Sequence, residues 1–259
     1  MKITLENRPQ LNSPVLNPSK WWLTLILVSV CGLSTLLITM VLFYISHPEY
    51  YQNGFPSISR AAAFSPSRDV FAVGMCVAAF FGIISMFIVQ HSNNSPYRTH
   101  DRTGRIFLWS TFLFCITANI FLALLAIVNS NWNGPLHELF SVLFFFAMII
   151  TYTLDAIWLL YQRKQRHYRF NPLDHVHRMG SHKLVISALL VGLGIVMFIL
   201  YVVDKSNILT DDRVIHGVFV WFEYMVAAIC FLLPITQYRE QTAFWYALSN
   251  EGSKSSAEQ

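Results

Sequence analysis

The sequence predicts an all-α fold: a polytopic membrane protein built as a six-transmembrane-helix bundle with both termini in the cytosol. Three observations carry this. Hydrophobic residues make up 54% of the 259-residue chain and charged residues only 12%, with a mean hydropathy of +0.46, whereas an ordinary soluble domain carries about twice that charge. Six apolar runs (22–45, 70–90, 106–128, 137–161, 184–203 and 214–238) contain no Lys or Arg, and each is long enough to cross a hydrocarbon layer of about 30 Å. Fourteen of the 18 Lys and Arg residues fall in the two tails and in the second and fourth links, so the positive-inside rule places those segments in the cytosol.

The runs and their short links leave no room for a separate soluble domain. Residues 21–246 therefore form one transmembrane domain, between an N-terminal tail (1–20) and a polar C-terminal tail (247–259) expected to be disordered. The +4 net charge follows from the basic flanks and resembles no nucleic-acid surface. Cys31, Cys76, Cys115 and Cys230 all lie within the runs, so they outline no disulfide framework. The first run follows a polar tail and has no small-residue cleavage site, so it reads as a retained anchor rather than a signal peptide. The expected location is an endomembrane or the plasma membrane in a eukaryote, and the inner membrane in a bacterium.

In chain order, the first span carries Cys31, Thr35 and Thr39 at four-residue spacing, a small-residue face for close packing. The link that follows holds GFPSISRAAAFSPSRD, in which Pro56 can open a short helix and Ser65-Pro66 can cap and start the second span. Ser57, Ser59 and Arg60 would stand over the mouth of the bundle, where Arg60 is able to pair with a phosphate or with an acid such as Glu138. Gly74, Ala78 and Gly82 give the second span a face that admits a neighbouring backbone, and Asn119 in the third suits an interhelical hydrogen bond. NSNWNGP then reads as a turn with Pro135 at the first helical position.

The fourth span opens with His137 and Glu138 on the same side of the membrane as His216. Position 141 is Ser, so the pair is not an H-E-x-x-H zinc motif, and no metal or cofactor is expected. Asp155 lies near the cytosolic end of the same span, where it should pair with a basic residue at the membrane edge. The following link, 162–183, is rich in basic residues and histidine; Arg163, Lys164, Arg166 and Arg169 are candidates for contact with anionic lipid headgroups, and the segment as a whole for contact with a cytosolic protein. The sixth span, VIHGVFVWFEYMVAAICFLLPITQY, holds one carboxylate, Glu223, nine residues past Val214 and so roughly 13 Å into the bilayer. An acid at that depth needs partners. His216 lies two turns earlier on the same face, and Ser57, Ser59, Arg60, His137, Glu138, His216 and Glu223 make up the candidate ligand-binding set.

Four stretches carry a resemblance: FPSIS (55–59) before the second span, LHE (136–138) opening the fourth, HKLVIS (182–187) opening the fifth and VIHGVFVWFEY (214–224) in the sixth. In this order they resemble the family of DRAM (damage-regulated autophagy modulator) proteins, Frag-type GPI lipid-remodelling factors, Sfk-type plasma-membrane regulators and the N-terminal region of Cwh-type proteins. The resemblance covers about residues 21–245. It implies a six-span bundle with cytosolic ends and roles in GPI-lipid remodelling, phosphoinositide-kinase recruitment or autophagy, without supplying a catalytic set. Two functions follow: a non-enzymatic, lipid-linked regulator or adaptor, or an intramembrane lipid-modifying enzyme using histidine and glutamate. No nucleophile stands at a recognisable spacing from His137 or His216, which favours the regulator and leaves no catalytic residue named.

Overall fold

The computed structural model describes residues 22–53, 55–93, 102–166, 174–206 and 212–257, and among these every regular element is helical. The helices are α1 (Leu23–Ser46), the short α2 (Ile58–Ala61), α3 (Ser67–Asn93), α4 (Arg102–Ile127), α5 (Ser130–Arg166), α6 (Asp174–Ser206) and α7 (Asp212–Ala257), with a 3₁₀ turn at Pro48–Asn53. All but α2 are long and apolar enough to cross a membrane, six in number, as the sequence predicts. An even number of crossings brings both termini to one end of the bundle, here the termini end; α2 lies at the opposite, loop end.

The six long helices close into a ring. Each packs on its two neighbours in the order α1, α3, α4, α5, α6, α7 and back to α1. Phe71, Met75, Phe144, Met148, Leu190 and Phe231 fill the interior, while residues such as Leu37, Val73 and Phe198 face outward, the distribution expected when lipid rather than water is the solvent.

Small residues set the closest approaches. A Cβ on Gly74 would lie 2.0 Å from the Thr35 Oγ1 of α1, one on Gly82 would lie 2.1 Å from the Asn119 Oδ1 of α4, and one on Gly32 would lie 2.1 Å from the Phe231 ring of α7. The expected single face of α3 thus serves two partners. Gly74 and Gly82 are eight residues apart, a rotation of about 80° that turns them toward opposite neighbours. Asn119 does not bond across helices as expected; its Nδ2 donates to the Cys115 carbonyl one turn back at 2.8 Å. Pro234 interrupts the ladder of α7 and frees the carbonyl four residues earlier. That carbonyl, on Cys230, accepts from the Tyr152 hydroxyl of α5 at 3.3 Å.

The helices overrun the apolar runs. α5 continues to Arg166, α6 begins at Asp174 and α7 extends to Ala257, so much of the expected link and most of the tail expected to be disordered are helical. Hydropathy marks where a helix leaves the bilayer. It does not mark where the helix ends, and residues such as Gln, Arg, Glu and Ala sustain helix in water. The turn before the fourth span also differs. α5 starts with one turn from Ser130, breaks at Asn133 (φ −151°, ψ 87°) and restarts, with Asn133 Oδ1 accepting from the Leu136 N–H at 3.2 Å. Asn133 is therefore the cap, and Pro135 takes the second helical position rather than the first.

The tight seam between α1 and α3 yields a test. Gly74→Ala should destabilise the bundle by about 1–3 kcal/mol, because the added methyl overpacks the fixed Thr35 side chain. Gly192→Ala, where a Cβ meets nothing within 4 Å, should leave the thermal midpoint of the detergent-solubilised protein unchanged. Equal midpoints for the two variants would refute the close approach.

Candidate functional site

At the loop end, the chain between α1 and α3 folds back into the mouth of the ring. Ile58, Ala61, Ala62 and Ala63 are all buried, and a buried backbone of this kind must satisfy its own polar groups. The arrangement accounts for the N–H groups of α2 one by one. Ile58 N–H donates to Glu223 Oε2 at 3.2 Å, and the Ser59 N–H faces the same carboxylate. Ser57, the N-cap, accepts from Arg60 N–H through its Oγ at 3.2 Å, and its carbonyl accepts from Ala61 N–H at 3.0 Å. The partner of the buried acid is thus backbone, the positive end of a helical turn, and no cation is required.

His137 holds the other side of the segment. Its Nδ1 lies 2.6 Å from the Val128 carbonyl and its Nε2 lies 3.0 Å from Ser59 Oγ. A carbonyl only accepts, so Nδ1 carries a proton and donates to Val128, which leaves Nε2 facing the serine hydroxyl. Ser130 Oγ donates to the Ser59 carbonyl at 3.4 Å and Asn131 Nδ2 to the Ala63 carbonyl at 3.1 Å, both from the first turn of α5. Tyr224 of α7 donates to the Pro56 carbonyl at 3.1 Å. Phe55 stacks on Trp221 with ring centroids 5.8 Å apart.

Of the residues expected from the sequence, Ser57, Ser59, His137 and Glu223 meet around α2. Arg60 is exposed and lies over the Tyr50 ring, 4.8 Å from its centroid, the geometry of a cation–π contact. Glu138 is one residue past His137, hence turned by about 100°, and accepts from the Tyr201 hydroxyl of α6 at 3.0 Å. His216 is exposed, with its ring 6.4 Å from that of Phe219; it is not among the groups that hold α2. Arg163, Lys164 and Arg166 fall on the end of α5 where side chains are not described, and Arg169 lies outside the described residues. The pairing of Ser59 with His137 escapes sequence reading, because 78 positions separate them.

A second polar cluster sits at the termini end. Lys183 of α6 is only 2% exposed and pairs with Asp155 of α5, the basic partner expected for that acid. It also reaches Glu240 Oε2 at 3.1 Å and Gln237 Oε1 at 2.6 Å, both on α7. One turn of α7 presents a further contact, Gln241 Oε1 accepting from Ser92 of α3 at 2.9 Å. Lys183 and Glu240 border their apolar runs, so by hydropathy they read as flanking charges. The available signal was the spacing of Gln237, Glu240 and Gln241, which share a helical face once α7 is continued past Tyr238.

The family model for the Frag1/DRAM/Sfk1/Cwh43P N-terminal domain matches residues 20–241. The chain belongs to this family. No curated protein and no solved structure matches it. As a member of the Frag1/DRAM family with six spanning helices, it is a multi-pass integral membrane protein.

The backbone role of Glu223 separates two substitutions. Glu223→Leu strands the Ile58 and Ser59 N–H groups and should cost about 1–3 kcal/mol for each, whereas Glu223→Gln keeps one acceptor oxygen and should cost less. Thermal unfolding in detergent and protease cleavage between residues 54 and 66 should both rank Leu as more damaging than Gln. Equal behaviour of the two variants would show that the carboxylate does not hold α2.

Proposed function

We propose that this Frag1/DRAM-family protein is a lipid-linked regulator or adaptor of the membrane rather than a lipid-modifying enzyme. The observation that supports this reading is the saturation of the loop-end cluster. Each N–H from Ile58 to Ala63 has an acceptor within the protein. Acyl transfer at Ser59 would need free donors beside its Oγ to stabilise an oxyanion. The donors at the start of α2 are instead directed at the Glu223 carboxyl group, so they are not free to receive an oxyanion. The cluster thus works as a latch that shapes the mouth. Membrane lipids are its natural surroundings, and the basic segment 162–183 supplies charge for anionic headgroups or for a cytosolic partner. Within the family, the corresponding roles are GPI-lipid handling, phosphoinositide-linked signalling and autophagy, at the plasma membrane or an endomembrane.

One observation favours the enzymatic alternative. Ser59 Oγ and His137 Nε2 stand 3.0 Å apart with the imidazole tautomer set by Val128, as required of a base-activated nucleophile. A fluorophosphonate probe separates the readings, because it labels a serine activated in this way. The purified protein should not be labelled, and Ser59→Ala should match wild type in the labelling assay. Labelling that Ser59→Ala abolishes would establish the enzyme. Replacing Arg163, Lys164, Arg166 and Arg169 together by Gln should weaken binding to liposomes containing phosphatidylserine without changing the thermal midpoint; unchanged binding at low salt would remove the lipid-contact role of this segment.

A further inference from the structure

At the loop end, one cation stands outside the latch without a counter-ion. Arg60 is exposed, and among the described residues its guanidinium meets no carboxylate, whereas Arg68, the other arginine whose side chain is described at this end, pairs with Asp69 at 3.0 Å. Arg60 lies instead over the Tyr50 ring, 4.8 Å from the centroid. A guanidinium stacked in this way keeps its edge N–H groups free for a bidentate acceptor. Ser57, three residues earlier, accepts from the Arg60 N–H through its Oγ, which leaves the serine proton for an acceptor outside the described protein.

The latch fixes the depth of this cation. The spanning segment of α7, His216–Thr242, has 27 residues; it is about 40 Å long against a hydrocarbon layer of about 30 Å, so each end reaches roughly 5 Å into the headgroup region. Glu223, seven residues past His216, lies about 10 Å in and thus roughly 5 Å below the headgroups. Ile58 is bonded to Glu223, and Arg60, two residues on, extends its guanidinium toward the level of the lipid phosphates, where an unpaired cation is costly. The rings beside it continue along the seam between α1 and α7. Tyr50 packs on Phe43, Phe43 on Tyr51, Tyr51 on Phe55 and Phe55 on Trp221, at centroid distances of 5.5, 6.2, 5.6 and 5.8 Å. Phe55 and Trp221, at the far end of the row, are 43% and 60% exposed, an apolar track from the guanidinium to the lipid-facing side of α7.

We propose that this surface binds an anionic, amine-free phospholipid, its phosphodiester held by the Arg60 guanidinium and the Ser57 hydroxyl and one acyl chain laid over Phe55 and Trp221. Charge complementarity selects the class, since one unpaired cation matches one phosphodiester. A choline or ethanolamine head would bring a second positive charge beside Arg60; the Tyr50 face that could receive it is already covered, and Glu49 is turned to His47 at 3.4 Å.

The inference rests on the lipid-linked reading and names a ligand for its loop end. Labelling of Ser59 by fluorophosphonate would overturn the regulator and leave binding at Arg60 standing; failure at Arg60 would leave the labelling result standing.

The test uses the full chain in detergent with Arg163→Gln, Lys164→Gln, Arg166→Gln and Arg169→Gln, so that lipid bound by the basic segment does not contribute. Three probes share their chains and differ in their heads: dioleoylphosphatidylglycerol, dioleoylphosphatidylcholine and dioleoylglycerol. The phosphatidylglycerol should be retained at one per protein in native mass spectrometry and should raise the thermal midpoint, with the other two at least tenfold weaker. Adding Arg60→Gln should weaken phosphatidylglycerol binding at least tenfold, while Arg68→Gln, the same change of charge at an arginine that already has its acid, should leave it unchanged. Both side chains are exposed, so the lipid-free midpoints should match that of the parent; Arg60→Met, which keeps an apolar stem over Tyr50, replaces Gln if that variant fails to fold. Undiminished phosphatidylglycerol binding after Arg60→Gln, an equal loss after Arg68→Gln, equal binding of either other probe, or no retention of phosphatidylglycerol by the parent would each overturn the proposal.

Discussion

The hydrogen bond from Ile58 to Glu223 reconciles two costs that neither partner could meet alone. A carboxylate inside a membrane-spanning helix lacks water, and so does a loop that enters the mouth of a bundle. Brought together, the acid accepts from the first N–H groups of α2 and each satisfies the other. The rest of the loop end depends on this contact. With Ile58 fixed against α7, Ser59 comes within reach of His137, Ser130 and Asn131 reach the segment from α5, and Tyr224 holds Pro56. α2 makes few contacts with the long helices in its own right, and its four residues are too few to form a stable helix in isolation.

The termini end is fastened by a different device. Lys183 joins α5, α6 and α7 through two carboxylates and one amide. Removing one member of such a buried set leaves a charge uncompensated, which costs far more than the intact set contributes. It therefore specifies how three helices meet more than it adds to stability. This matters most for α6, whose membrane segment has the smallest buried fraction of the six spans and for which apolar packing is correspondingly weak.

The fold was legible because one physical rule dominates it. A bilayer demands about twenty apolar residues per crossing with every backbone group paired internally, and the six runs satisfy that rule without reference to anything distant in sequence. The site was legible only in part. Glu223 announced itself as a lone acid among apolar residues, and His137 opened a span, so local context singled both out. Their partners did not stand out. The acceptor need of Ile58 N–H is a property of backbone, which no side-chain pattern displays, and Lys183 was hidden because a lysine at the border of an apolar run is the ordinary way for a span to end. His216 shares the helical stripe of Glu223, yet it lies two turns nearer the surface, and periodicity gives direction around a helix without giving what stands opposite.

Taken together, the two clusters explain why the interior between them can stay imperfectly packed. A ring fastened at both ends by directional bonds keeps its helix positions without a fully dense centre, since polar contacts fix register where dispersion alone would let helices slide until voids closed. Phe144, Met148 and Phe231 fill most of the axis, and the space that remains is bordered by Gln90 and Tyr152. A larger apolar side chain on any of the surrounding helices would close that space and add to stability. Asp155 and Gln237 belong both to the Lys183 cluster and to the wall of that space, so the fastening at the termini end also fixes the polar border of the interior it leaves unfilled.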